Sequence, residues 1–205
     1  MTGAMRQALA LLEFEYTAHG LLAVDGMLKN SPIALLRCGT VHPGRYLALV
    51  GGSVASVEEA HRVALAVGQV RDDVLLPDPH PALAAALTQR PEARESEAMG
   101  VFETRSSPAL LRGLDAALKA VPVDLAELRL GDDLGGRGLA VLTGSLTDVT
   151  AALDLAQARA GDSGWTAARS VLPRVEPLVR RIVAEGTHLR ICARHAPEGA
   201  ETVEG

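Results

Sequence analysis

Aromatic side chains are nearly missing: the 205-residue chain holds two Phe, two Tyr and one Trp. Stacking platforms for bases or sugars are therefore poorly supplied. Positive charge is not in excess either. Twenty Lys and Arg stand against 25 Asp and Glu, a formal charge of −5 with no basic stripe for nucleic acid. Two cysteines, Cys38 and Cys192, are too few for a disulfide framework and fit a reducing cytoplasm. No apolar run approaches the roughly 20 residues of a membrane span. The N-terminal stretch Ala8–Leu12 is cut short by Glu13 and Glu15, so it reads as neither span nor signal peptide. What is present is 48% hydrophobic residues, enough to fill one medium core or two small ones and too many for a disordered chain. The expectation is a soluble, cytoplasmic α/β protein without membrane or nucleic-acid partners.

The chain repeats itself. A shift of 90 lays Ala8–Cys38 on Ala98–Leu128, with Glu13, Leu21, Asp25, Leu28, Lys29 and Pro32 falling on Glu103, Leu111, Asp115, Leu118, Lys119 and Pro122. A shift of 92 lays Pro43–Ala60 on Gly135–Ala152, matching Gly44, Arg45, Gly52 and Ser53 to Gly136, Arg137, Gly144 and Ser145. An Ala- and Leu-rich composition does not align Asp, Lys, Pro, Gly, Arg and Ser together, so the repeat is genuine.

Each copy reads as the same series of elements. The first has a doubly buried strand at Ala8–Phe14, then a helix capped by Thr17, with Leu21, Val24 and Leu28 inside and Pro32 as its end. Strands at Ile33–Cys38 and Tyr46–Val50 flank the loop Gly39–Arg45, and Gly51-Gly52 breaks the second of them. Ser53 or Ser56 caps a helix that Gly68 stops, with Ser56 and Glu59 spaced as a capping box. A strand at Val74–Leu76 and a short helix near Ala82–Leu87 close the copy. The second copy retraces this. It has a strand at Ala98–Glu103, a helix from Ser107-Pro108 to Lys119, and strands at Val123–Leu130 and Leu139–Leu142. A helix from Leu146 to Ala160, a strand at Ala168–Leu172 and a helix at Pro177–Glu185 follow. The order β-α-β-β-α-β, twice, predicts an α/β fold of the α+β, ferredoxin-like kind, with helices on one sheet face. Residues 1–90 form the first domain, 91–97 a polar linker, 98–186 the second domain and 187–205 a C-terminal extension whose Thr187–Arg194 alternates like an edge strand.

These residues carry a resemblance. Asp25-Gly-Met-Leu-Lys29, Pro43-Gly-Arg45, Gly51-Gly-Ser-Val54 and Leu76-Pro-Asp-Pro-His80 resemble the bacterial microcompartment shell-domain family. So do Asp115-Ala-Ala-Leu-Lys119, Gly135-Gly-Arg137 and Thr143-Gly-Ser145. The tandem arrangement is similar to the trimeric, pseudohexagonal shell proteins, and the unpermuted order to those that form a single disc. The resemblance implies a structural tile that partners hexameric and pentameric shell proteins around encapsulated enzymes. It implies no cofactor and no catalysis. Lys29 and Lys119 match the family's edge lysine. Taken alone, each would be half of an i,i+4 ion pair with Asp25 or Asp115, worth a few tenths of a kcal/mol. The family's Arg-Pro-His edge turn is split: the first copy keeps His80 with Asp78 in the Arg place, and the second keeps Arg174 but has Val175 and Glu176. Each edge thus holds half a docking pair, which favours mixing with hexameric tiles.

The loops between central strands are the expected pore lining: His42, Pro43, Gly44 and Arg45 in one copy, and Asp132, Asp133, Leu134, Gly135, Gly136 and Arg137 in the other. As phosphate loops they lack the Lys-Ser/Thr and the following helix. In a trimer their carboxylates and guanidiniums cancel, and three His42 imidazoles would add positive charge on protonation. Some tandem shell proteins carry a Cys in this loop and hold an iron–sulfur cluster there. The matching residue here is His42, and Cys38 reads as a buried thiol. Three imidazoles also offer a symmetric zinc, nickel or copper site as an alternative. The six histidines show no metal-motif spacing and Gly-x-Ser-x-Gly is missing, so no catalytic set emerges. Trp165 reads as filling a local gap. The expected function is a pore-bearing shell tile that admits metabolites. The alternatives are a ligand-sensing trimer of ferredoxin-like domains and a pore tile with a metal or redox centre.

Overall fold

The apolar run Ala8–Phe14 is buried along its whole length as strand β1, because a helical layer covers one face and a second set of apolar groups the other. The computed structural model describes residues 8–92, 96–131, 133–161, 164–189 and 193. After β1 come α1 (Thr17–Asn30), β2 (Ala34–Val41), β3 (Arg45–Gly52), α2 (Val54–Val67), β4 (Val70–Leu76) and α3 (Pro81–Ala86). The second copy follows as β5 (Ala98–Thr104), α4 (Ser107–Ala120), β6 (Asp124–Leu130), β7 (Gly138–Gly144), α5 (Leu146–Arg159), β8 (Thr166–Pro173) and α6 (Pro177–Glu185). The sheets are antiparallel, ordered β2-β3-β1-β4 and β6-β7-β5-β8. This is the expected β-α-β-β-α-β order in both copies.

The repeat extends to irregularities. Register shifts fall between Glu13 and Phe14 and between Glu103 and Thr104, and again between Leu35 and Arg37 and between Leu125 and Glu127. Three of the helices begin at a serine whose hydroxyl accepts an orphan N–H group. Ser53 caps α2 through the Ser56 N–H, Ser106 caps α4 through Ala109, and Ser145 caps α5 through Asp148. Glu59 is therefore not half of a capping box; it pairs with Arg62.

Several expectations need correction. The inner face of α1 is Gly20, Ala23, Val24 and Met27, while Leu21 and Leu28 point outward. Thr17 is the first helical residue, and Tyr16 before it offers no side-chain cap. Gly51 and Gly52 stay in β3, since β1 and β2 pair with Gly51 and β1 also pairs with Gly52, so neither needs a side chain to hold the ladder. β2 and β3 run to Val41 and from Arg45, which shrinks the loop between them to three residues. Cys38 is exposed, because β2 is an edge strand. Residues 187–189 are not strand; the rest of the expected edge strand, apart from residue 193, lies outside the described residues, as does Cys192.

The two copies share a core. Ala8, Ala10, Leu12 and Phe14 pack under α1 and α2 with Tyr46, Ala48 and Val50. The other face of that sheet, with Leu11, Leu47, Leu49, Val74 and Leu76, joins Leu83 of α3 and Leu111, Leu114 and Leu118 of α4 in one cluster. That shared cluster forms a seam that brings the inter-strand loops of both copies to one end.

Candidate functional site

His42, Pro43 and Gly44 form an exposed turn between β2 and β3, closed by the Gly44 N–H donating to the Val41 carbonyl at 2.9 Å. The second loop, from Gly131 to Arg137, folds on itself. Its Gly131 N–H donates to the Arg137 carbonyl at 3.1 Å, and the Arg137 N–H to that of Leu134 at 3.2 Å. The backbone is left-handed at Gly131, Asp133, Gly135 and Gly136. Two of those glycines lie close to residues of the first copy. A Cβ on Gly131 would lie 3.2 Å from Val41, and one on Gly136 would lie 2.5 Å from Arg45 Nη1 and 3.2 Å from Pro43. The two loops therefore pack against each other. Asp133, Gly135 and Arg137 are exposed, Leu134 is half-buried, and Asp132 lies outside the described residues. Asp133 pairs with His188.

Behind the loops sits a carboxylate that pattern reading did not single out. Glu13 on β1 is 1% exposed. Its Oε1 accepts from Arg45 Nη1 at 3.0 Å and Arg71 Nη1 at 2.8 Å, and its Oε2 from the backbone N–H of Ser107 at 3.1 Å. Ser107 opens α4, so the carboxylate also meets the positive end of a helix from the other copy. Arg45 reaches on to the carbonyls of Gly136 at 3.2 Å and Arg105 at 3.4 Å. Arg71 reaches Arg105 O at 3.2 Å, and its guanidinium lies 5.1 Å from the centre of the Trp165 ring. Burial raises Glu13 above the ordinary carboxylate range. The Ser107 N–H and the two guanidiniums pull it down without offsetting that.

Arg45, expected on the pore rim, thus has its guanidinium turned into the seam. Arg137 remains exposed, 3.0 Å from Glu103, and donates through Nε to Leu134 O at 3.0 Å. Glu13–Arg45 and Glu103–Arg137 are one pair in two copies, the first closed over by the neighbouring domain and the second more open. The signal for this was the joint recurrence of Glu and Arg in the repeat.

Farther along the seam, Ser106 Oγ donates to Asp72 Oδ2, and Arg112 Nη2 to Asp72 Oδ1 at 3.3 Å. Arg112 Nη1 also donates to Asp73 O at 2.6 Å. The Asp73 carboxyl is held below its usual range, first by its hydrogen bond with His61. Burial, with the adjoining Cys38 thiol, pushes Tyr46 up to about 12.

The edge residues divide into two groups. Lys119 bonds Asp115 at 2.6 Å, and the other oxygen of Asp115 accepts the His80 N–H at 2.7 Å. Lys119 and His80 are therefore joined through Asp115 inside one chain, while His80 Nδ1 caps α3 by accepting the Ala82 N–H. Lys29 bonds Asp25 at 2.6 Å on the open helix α1, and Arg174 lies at the turn before α6. A cluster held by thiolates does not fit the loop, where His42 occupies the tip and Cys38 lies back on β2 beside Tyr46. Among the described residues, no three His, Cys, Asp or Glu side chains gather as metal ligands.

Comparison with known proteins agrees with this architecture. The profile of the BMC domain matches residues 8–79 and again 98–175. The bacterial microcompartment shell protein PduT of Citrobacter freundii is 33% identical over 184 residues, covering 89% of this chain and all of that protein. The carboxysome assembly protein CcmO of Synechocystis sp. is 32% identical over 167 residues, covering 74% of this chain and 56% of CcmO. The crystal structure of a microcompartment protein from Desulfitobacterium hafniense DCB superimposes with a TM-score of 0.75 at 30% identity, over 85% of this chain and 98% of that one.

Proposed function

The chain belongs to the bacterial microcompartment shell-protein family, with two BMC domains in tandem, and from that premise we propose that it closes as a homotrimer with a central pore. It is a structural building block rather than an enzyme. Three chains supply six domains, at residues 1–90 and 98–186 joined by the linker 91–97, and six domains complete a pseudohexagonal tile. The observation that carries the reading is the packing of the two inter-strand loops against each other at one end of the seam. Threefold closure puts that end on the axis and lines the pore with His42, Pro43, Gly44, Asp133, Leu134, Gly135 and Arg137. Arg45 and Gly136 support the lining from behind. Rim charge then comes from Asp133 and the Glu103–Arg137 pair, which makes it mixed in sign and suited to small polar metabolites. Lys29, Lys119, His80 and Arg174 lie toward the outer edge, where hexameric and pentameric shell proteins adjoin the tile in the cytoplasm. Residues 187–205 extend beyond the second domain.

Co-expression with a hexameric shell protein tests this. The tagged hexamer is expected to bring the chain down within closed shells or sheets. A chain that stays out of every such assembly overturns the reading.

A further inference from the structure

The two copies use their first helices differently. Leu111 and Leu118 on α4 are 1% and 6% exposed, because α4 lies against β4 and α3 of the first copy. The same residues on α1, Leu21 and Leu28, are 54% and 51% exposed, and Leu22 beside them is 57% exposed. Asp115 accepts the N–H of His80, while its counterpart Asp25 lies on this open face with Lys29. An uncovered leucine face at positions where its twin is sealed marks an interaction surface.

The chain also carries the matching receptor. β8 stands in the second sheet where β4 stands in the first. β4 is covered by α4, but Ala168, Arg169 and Ser170 of β8 are exposed. Leu172 and Val179 occupy the places of Leu76 and Leu83, which Leu111 and Leu118 cover inside the chain.

We propose that the open face of α1 docks on the β8 edge and α6 start of a second copy of this chain, through a seam that is apolar where the intrachain seam is ionic. This rests on the trimer reading above and specifies its joint. Strand register sets the correspondences: Glu13 lies opposite Asp72, and Glu103 opposite Ala168. The repeat sets Leu22 at the place of Arg112 and Tyr16 at that of Ser106. Where Arg112 and Ser106 grip Asp72, Leu22 and Tyr16 therefore meet Ala168. The positioning bonds are common to both seams: Glu103 takes the Thr17 N–H of the second copy as Glu13 takes that of Ser107, and Asp25 takes the Glu176 N–H as Asp115 takes that of His80.

The difference in chemistry fixes the order of domains round the ring. Setting α1 against β4 would leave Asp72 facing Leu22 and Tyr16 without its guanidinium. Setting α4 against β8 would put Arg112 on Ala168. Each error strands a charge in a closing interface, whereas the alternating order strands none.

A charge swap measured by native mass spectrometry tests the proposal. Ala168→Asp is expected to raise the dissociation constant of the trimer about tenfold or more, by setting an unpaired carboxylate against leucine. Leu22→Arg alone is expected to weaken it too. The double variant L22R/A168D copies the Arg112–Asp72 pair and is expected to return to within about threefold of the parent. Both positions are exposed in the single chain, so circular dichroism should show unchanged folding. A trimeric parent whose single variants assemble equally well, or whose double variant is no better than the singles, overturns this proposal and leaves the trimer standing. A monomeric parent overturns both.

Discussion

Glu13 sits in a protein interior with three donors around it and still resists ionisation, because removal from water outweighs its partners. The direction of this shift sets a sign. Below the ordinary carboxylate value of 4.5 the group is neutral in both folded and unfolded chains. As pH rises, the unfolded chain gives up the proton first, so the contribution of Glu13 to stability falls until the folded-state value is passed. Urea unfolding of the parent and Glu13→Gln at several pH values is expected to show the difference, parent minus variant, shrinking as pH climbs from 4.5 towards neutrality. A difference independent of pH would contradict it. Asp73 has the opposite sign. Its lowered value makes its contribution present above its ordinary 3.8 and lost as pH falls below it. In the same series, the advantage of the parent over Asp73→Asn should therefore diminish towards acid, and a growing advantage there would exclude the His61 contact as its source.

At the scale of elements, most of the architecture was legible because strand and helix announce themselves by different spacings. β1 and α6 match their sequence limits, and Ser53 and Gly68 bracket α2 as expected. The face of α1 was misread for a physical reason. The helix is apolar on two sides, with Ala23, Val24 and Met27 against its own sheet and Leu21, Leu22 and Leu28 left outside, and periodicity alone favours the larger residues. The Arg45–Glu13 contact was not legible, because Glu13 is distant in sequence and embedded in an apolar run. The second loop was located at its observed limits and the first was drawn too long, and their mutual packing is a tertiary fact. Two glycines separate backbone strain from collision. Gly135→Ala meets an unfavourable φ of 61° with nothing within 4 Å, whereas Gly136→Ala at φ 75° also drives a methyl against Arg45. Denaturant unfolding is expected to show a loss of about 1 kcal/mol for the first and about 2–3 kcal/mol for the second. Equal losses would mean that the Arg45 guanidinium yields to the methyl and is not held in place by its bonds to Glu13 and the Arg105 and Gly136 carbonyls.

At the scale of the whole molecule, the chain is sealed along the seam between its two copies and open along the matching face of α1. The family match falls on both copies of the repeat, at residues 8–79 and 98–175. His42 lies at the loop tip, so His42→Asp places three added negative charges around the proposed pore. Reconstituted shells carrying it are expected to admit a small anion several-fold more slowly than the parent while admitting a neutral solute equally. Unchanged anion entry would remove His42 from the pore. In the proposed tile, three chains close with the paired loops on the axis. Electron-microscopy class averages of the purified chain read that arrangement. The expected result is discs of six lobes with threefold symmetry and a central opening ringed by the two loops. Monomers, dimers, or discs with those loops at the periphery would contradict it.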